Sequence, residues 1–286
     1  MKFHKMHGLG NDFVIVQAED QVPDHVSELA VQVCDRHTGI GADGLVFILP
    51  SEKADFQMRI FNADGTEAQQ CGNAVRCVSK YYYERMDNSK TNILVETKRD
   101  VQPIVLQVKA GIVTRVQVDM GEPILVPSQI PVKSQTIHDQ VVIGETIYDQ
   151  VVIKEQAYAF TAVSMGNPHA VIEVDTLSDE LVKGIGPKIE RSEVFPEKAN
   201  IEFINIVSPE EITMRVWERG VGETMACGSG ACAVLVASHL NGKASRKATV
   251  HLLGGDLLID WNESDNHVYM TGPAEFVFAG EFFTAS

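Results

Sequence analysis

The sequence predicts an α+β protein of two structurally similar domains, each a mostly antiparallel curved sheet wrapped on a central helix. Three observations lead there. First, the chain repeats itself at a fixed offset of 156 positions: Met58-Arg59-Ile60-Phe61 returns as Met214-Arg215-Val216-Trp217, Glu67 as Glu223, Cys71-Gly72 as Cys227-Gly228, and Gly10-Asn11 as Gly166-Asn167. Second, short alternating runs joined by tight turns dominate, the pattern of antiparallel sheet. Third, 230–240 is apolar almost all round, so that helix must be surrounded and is placed inside a curved sheet.

Taken in order, Lys2 to Met6 and Phe13 to Gln17 read as strands about a Gly-Asn turn. Helical spacing covers Val26 to Arg36. Leu45 to Leu49 is an apolar strand stopped by Pro50, and Phe56 to Phe61 alternates. A helix follows from Cys71 to Met86, then strands at Ile93 to Val95, Val101 to Lys109 and Ile112 to Asp119. The second half repeats this order: strands at Ala159 to Val163 and Ala170 to Val174 about Gly166-Asn167-Pro168, strands at Ile201 to Val207 and Thr213 to Trp217, and a helix from Gly230 to Leu240 closed by Gly242. Strands return from Thr249 to Phe278.

The joint falls near 120–156, with Pro123, Pro127 and Pro131, and Asp139 to Ile143 recurs as Asp149 to Ile153. It reads as a linker leading into a hairpin. The last strand, Pro273 to Phe283, lies beyond the repeated block and is expected to cross back. The expected domains are 1–122 plus 273–286, carrying Cys71, and 123–272, carrying Cys227, with an active site in the cleft between them.

With 286 residues, 44% apolar and 22% charged, the chain can bury two cores. A net charge of −15 argues against nucleic acid and anionic membrane as partners. The start lacks the apolar core of a signal peptide, and no run reaches the ~20 residues of a membrane span. Five cysteines, an odd count, argue against a disulfide framework, so free thiols in a cytoplasmic setting are expected.

Each cysteine loop runs from a strand, through a polar segment with glycine, to a cysteine opening an apolar helix: Asn62 to Asn73, and Glu218 to Gly230. Backbone N–H groups and the helix dipole favour negative charge there, which predicts a lowered thiol pKa. Gly72-Asn73 and Gly228-Ser229 leave backbone donors for a ligand carboxylate. Two equivalent thiols facing one carbon can take a proton from one face and return it to the other. Alone, either cysteine reads as core; occurring twice at helix starts, they read as catalytic. Cys77 and Cys232 are out of register and read as core packing, as does Cys34 in its predicted helix.

The cysteine spacings are not those of a zinc site, and no metal is expected. A cysteine hydrolase using Cys227 with His169 stays open, although it leaves Cys71 without a task. Gly39 to Gly44 spells G-x-G-x-x-G, but a helix precedes it and a strand follows, so dinucleotide binding is rejected. No lysine marks a pyridoxal phosphate site, and no cofactor is expected. Asn11 and Asn167 read as turn residues or ligand contacts alike. His169 reads as a base or a turn residue, and Glu218-Arg219 as a charge pair for a zwitterion or a solvated pair.

The segments His7 to Phe13, Asn62 to Gly65 with Gln70 to Asn73, Met165 to His169, and Glu218 to Thr224 with Ala226 to Gly230 resemble the diaminopimelate epimerases. That resemblance implies a cofactor-independent isomerase interconverting LL- and meso-diaminopimelate, on the route to lysine and peptidoglycan precursors, as a cytoplasmic homodimer. It implies Cys71 and Cys227 as acid/base pair, with His169 and Glu218 assisting. Asn11, Asn62, Asn167, Asn200, Glu218 and Arg219 would contact substrate, with Gly72, Asn73, Gly228 and Ser229. Gly44 departs from the family, where a glutamine is common. Two other readings remain: a proline-type racemase or isomerase of the same fold, and a non-catalytic amino-acid-binding protein.

Overall fold

The computed structural model describes residues 1–126, 129–133, 147–153 and 156–283. They divide into two compact units, residues 1–119 with 271–286, and residues 120–270.

The first unit opens with β1 (Lys2–Gly8) and β2 (Asn11–Gln17), then α1 (Val26–Cys34), β3 (Gly44–Leu49), β4 (Phe56–Asn62), the two-residue β5 (Glu67–Ala68), α2 (Gly72–Arg85), β6 (Asn92–Glu96), β7 (Val101–Lys109) and β8 (Ile112–Asp119). Most neighbours pair antiparallel; β2 with β3 and β4 with β6 pair parallel. α2 packs against β1, β2, β4, β6, β7 and β8, so the sheet wraps it. Its Ala74, Val75, Cys77 and Val78 have no exposed surface. α1 lies against β3 and β4, adding Leu29, Ala30 and Val33 to a core with Val14, Leu45 and Phe47.

The second unit contains β9 (Ile147–Ile153), β10 (Gln156–Ser164), β11 (Pro168–Glu173), a π-helical turn (Glu180–Ile185), α3 (Gly186–Glu190), β12 (Asn200–Ser208), β13 (Glu211–Glu218), β14 (Gly222–Glu223), α4 (Gly228–Leu240), β15 (Lys247–Leu252), β16 (Gly255–Trp261) and β17 (Val268–Gly272). α4 is enclosed by β10 to β13, β15 and β16. Every residue from Ala231 to Ala237 is fully buried, which fulfils the expectation of a surrounded helix. Burying each of its Val and Leu side chains contributes roughly 1.5–3 kcal/mol. Gly242, at φ 71, closes it by donating its N–H to His239 O. The chain then forms β18 (Glu275–Glu281), which pairs antiparallel with β1 in the first unit.

The α+β expectation holds. The 156-residue register is kept most strictly in the strands that carry the cysteine loops. Phe13 faces Gly44 across β2 and β3 as His169 faces Asn200 across β11 and β12. Leu45 faces Phe61 as Ile201 faces Trp217, and Phe61 faces Glu67 as Trp217 faces Glu223. The register slips at the first hairpin. β1 and β2 close at Gly8 with Asn11, whereas β10 and β11 close at Ser164 with Pro168, a connection one residue longer.

Some sequence readings are corrected. α1 stops at Cys34, two residues early, because Asp35 leaves helical geometry (φ −59, ψ 125). Both long helices start immediately after their cysteine, at Gly72 and Gly228, the latter two residues before the expected start. The helical segment of residues 180–190 was not read from the sequence, where Gly184, Gly186 and Pro187 interrupt any periodic signal. Of the expected linker hairpin, Pro127 and Asp139 to Ile143 lie outside the described residues. Asp149 to Ile153 belongs to β9, which pairs with β10.

Candidate active site

In the first unit, Cys71 is the N-cap residue of α2, extended in backbone (φ −151, ψ 110) and partly exposed. Leu9 (φ 58) and Gly10 (φ 86) turn the chain in left-handed geometry, so Asn11 starts β2 beside that helix end. The Asn11 amide is held in one orientation. Its Nδ2 donates to Asp43 Oδ2 at 2.7 Å, while its Oδ1 accepts from Asn73 Nδ2 at 3.0 Å and faces Cys71 Sγ at 3.9 Å. Asp43 is itself fixed by Arg36, which also binds Asp12, and Lys5 pairs with Asp12 at 2.5 Å. Burial pushes the Asp12 carboxyl up, but hydrogen bonds from the Arg36 and Lys5 cations outweigh that and hold it at about 2. Asn62, exposed at the end of β4, donates its Nδ2 to Thr66 Oγ1.

In the second unit, Cys227 caps α4 with the same extended backbone (φ −112, ψ 109). Its setting differs. The residue is 6% exposed, and its thiol accepts the Gly230 N–H at 3.3 Å, with Ser229 Oγ at 3.7 Å. His169 lies in β11 rather than in the turn, wholly buried. Its Nδ1 is 2.7 Å from Glu202 Oε1 and its Nε2 is 3.1 Å from Asn167 Oδ1. Glu202 had no place in the sequence reading; it sits in β12 with no exposed surface. A Cβ on Gly230 would lie 2.8 Å from Glu202 Oε1 and 3.1 Å from Cys227 Sγ, so carboxylate and thiol crowd the same glycine.

The expected lowering of the thiol pKa is overturned at Cys227. Burial pushes it well up, the Glu218 and Glu202 carboxylates push it further, and the Ser229 hydroxyl and Gly230 N–H only partly oppose them. Two carboxylates and the loss of water outweigh the helix end. The three cysteines read as core are buried, and burial pushes Cys34 and Cys77 up to about 12.

Glu218 closes β13 and accepts a short hydrogen bond from Thr224 Oγ1. Asn200 is consumed by backbone: its Nδ2 donates to Pro168 O at 3.2 Å, and its Oδ1 accepts the Arg219 N–H at 2.9 Å. The Arg219 guanidinium reaches Glu197 O at 3.2 Å. Glu190, on α3 and also absent from the sequence reading, accepts from Trp217 Nε1 at 2.9 Å and Gly220 N at 3.0 Å, fixing the loop of Glu218 and Arg219. Each cysteine loop is braced by an equivalent ion pair, Arg59 to Glu67 at 2.8 Å and Arg215 to Glu223 at 2.7 Å. Among the described residues no cluster of His, Cys, Asp or Glu could hold a metal ion, and no helix is long and apolar enough to cross a membrane.

The chain has clear relatives. The family model for diaminopimelate epimerase matches residues 3–126 and 161–277. The chain belongs to the diaminopimelate epimerase family. It is 52% identical to the diaminopimelate epimerase of Methanococcus maripaludis strain C5 over 281 residues, covering 98% of this chain and 99% of the relative. It is 53% identical to that of Acetivibrio thermocellus over 281 residues, with 98% of each covered. Membership makes the chain an epimerase, hence an isomerase. The same fold occurs in a probable proline racemase from Agrobacterium radiobacter K84 (TM-score 0.70, 14% identity, 99% and 93% covered). It occurs also in a phenazine biosynthesis protein of the PhzF family from Bacillus anthracis (TM-score 0.67, 16% identity, 99% and 98% covered).

Proposed function

We propose that this epimerase interconverts LL- and meso-diaminopimelate by a two-base mechanism, on the route to lysine and peptidoglycan precursors. One cysteine, as thiolate, removes the α-proton. The other, as thiol, delivers its own proton to the opposite face, and the two exchange roles when the reaction reverses. The observation that carries this reading is that Cys71 and Cys227 hold the same N-cap position on equivalent helices. The names of full-length relatives support the substrate.

An α-proton is weakly acidic, so the carbanion needs donors placed in advance. The backbone N–H groups at the two helix starts, of Gly72 with Asn73 and of Gly228 with Ser229, are placed to meet a substrate carboxylate that gains charge. Asn11 and Asn167 orient the substrate, Asn62 and Glu218 hold its polar ends, and the Arg219 guanidinium takes the distal carboxylate. His169 and Glu218 assist the cysteines. The scheme needs no pyridoxal phosphate. We assign the protein to the cytoplasm as a homodimer, as the resemblance implied.

Turnover of the LL isomer in D2O without added cofactor should place deuterium at the α-carbon. Cys71→Ser and Cys227→Ser should each lose on the order of 10³-fold or more in kcat while still binding substrate. Full activity in either variant refutes the two-base scheme. Turnover of proline in place of diaminopimelate would favour the racemase reading instead.

A further inference from the structure

The thiol of the second unit lies beside a polar group that neither the repeat nor the cysteine motif accounts for. Glu202 is fully buried in β12. Its Oε1 meets His169 Nδ1 at 2.7 Å, which places one proton between ring and carboxyl. Its Oε2 has no hydrogen-bond partner among the described residues. A buried carboxylate oxygen without a partner costs roughly 1–3 kcal/mol or more, so its retention calls for a reason beyond folding. The first unit shows that the fold does not need it, because the equivalent positions are Phe13 and Val46, both buried and apolar. Gly230 supplies a second observation. Its absent side chain leaves the space that Oε1 and Cys227 Sγ both border, each within 3.1 Å of where a Cβ would lie, and the first unit has Ala74 there.

We propose that Glu202 is a positioning residue that holds Cys227 in its protonated form in the substrate-free protein and locks the His169 ring against Asn167. Its catalytic meaning rests on the two-base reading. With Cys227 kept as thiol, the free enzyme starts as the proton donor on that side. His169 Nε2 lies 3.1 Å from Asn167 Oδ1, so the ring held by Glu202 in turn holds the Asn167 amide in one orientation. The groups that set the charge on Cys227 come from four elements: Glu202 from β12, Glu218 from β13, His169 from β11 through Glu202, and the Ser229 hydroxyl and Gly230 N–H from α4. The carboxylate is the member of the His169 pair that crowds Gly230 beside the thiol, so its removal should favour the thiolate.

The test is the ultraviolet thiolate absorbance of Cys71→Ser protein against pH, with the Cys71→Ser/Cys227→Ser protein subtracted, so that the signal is Cys227 alone. The midpoint should lie above the ~8.5 of an unperturbed cysteine. Adding Glu202→Gln should lower it by about one pH unit, whereas Glu202→Asp, which keeps an anion in the pocket, should stay near the parent. An unmoved midpoint in Glu202→Gln overturns the proposal. Equal shifts in the Gln and Asp variants overturn it too, since both would then reflect disturbed packing. Should Glu202→Gln not fold, a parent midpoint at or below ~8.5 is enough to overturn it. Full turnover by Cys227→Ser would sink the two-base reading separately and leave this titration to judge Glu202.

Discussion

The two cysteine loops of this epimerase share a backbone and differ in charge. Cys71 sits partly exposed with its sulfur toward the Asn11 carbonyl oxygen, whereas Cys227 is buried and accepts a backbone N–H from its own helix. Where the second unit has His169, Glu202 and Gly230, the equivalent positions of the first hold Phe13, Val46 and Ala74. The paired asparagines are held by different partners. Asn11 is fixed by Asp43 and Asn73, whereas the Asn167 oxygen lies 3.1 Å from the His169 ring. Duplication thus preserved what places a thiol at a helix start, namely the strand register and the Arg–Glu brace, and left the surrounding titratable groups free to diverge. Under the proposed two-base scheme that difference has a use, since one thiol must be ionised while the other is protonated.

The sharpest way to break the comparison, after removal of either sulfur, is to convert the second loop into the first. The double variant His169→Phe/Glu202→Val should lose about 10²-fold in kcat, the lower range for an assisting acid–base group. Its stability in urea should be unchanged or raised, because a buried polar pair replaced whole by packed apolar side chains is often neutral or favourable. His169→Phe alone should lose roughly 3–5 kcal/mol by stranding the Glu202 carboxyl. If the double variant kept full activity, the asymmetry would have no part in catalysis.

A smaller effect is expected from Gly230→Ala, which drives a Cβ into Glu202 Oε1 and the thiol. Its kcat should fall roughly tenfold with little change in KM, as expected for a misplaced catalytic group. The mirror change Ala74→Gly should cost about 1 kcal/mol through helix propensity. Denaturant titration and steady-state kinetics separate the two.

The braces should differ least. The Arg215 side chain is 14% exposed and the Arg59 side chain 33%, and Arg215 also holds Asp179 at 2.6 Å. Arg215→Ala should cost about 1 kcal/mol in urea unfolding and Arg59→Ala a few tenths, with solvent screening the more open pair. Equal costs would mean that burial does not distinguish the loops.

Much of this was legible in the chain. The repeat, the alternating strands and the all-apolar helix at 230–240 announced the α+β fold, because each encodes its own burial pattern locally. The cysteines at helix starts were legible because matching loops precede them. Glu190 and Glu202 were not. A glutamate in an alternating or interrupted segment looks like any solvated glutamate until the strand beside it brings a Trp217 indole or a His169 ring to its oxygens. The expected depression of the Cys227 pKa failed for a related reason. The helix end is written in the sequence, but desolvation and two carboxylates from β12 and β13 are not.

By itself, then, the sequence determined the duplicated scaffold, the family and the two sulfur-bearing loops, since those depend on periodicity and on motifs within one stretch of chain. Only the tertiary structure decided how the second thiol is charged. That depends on distances of a few ångströms between β11, β12 and α4 in a medium that water does not reach, and electrostatic energy in such a medium is set by neighbours in space.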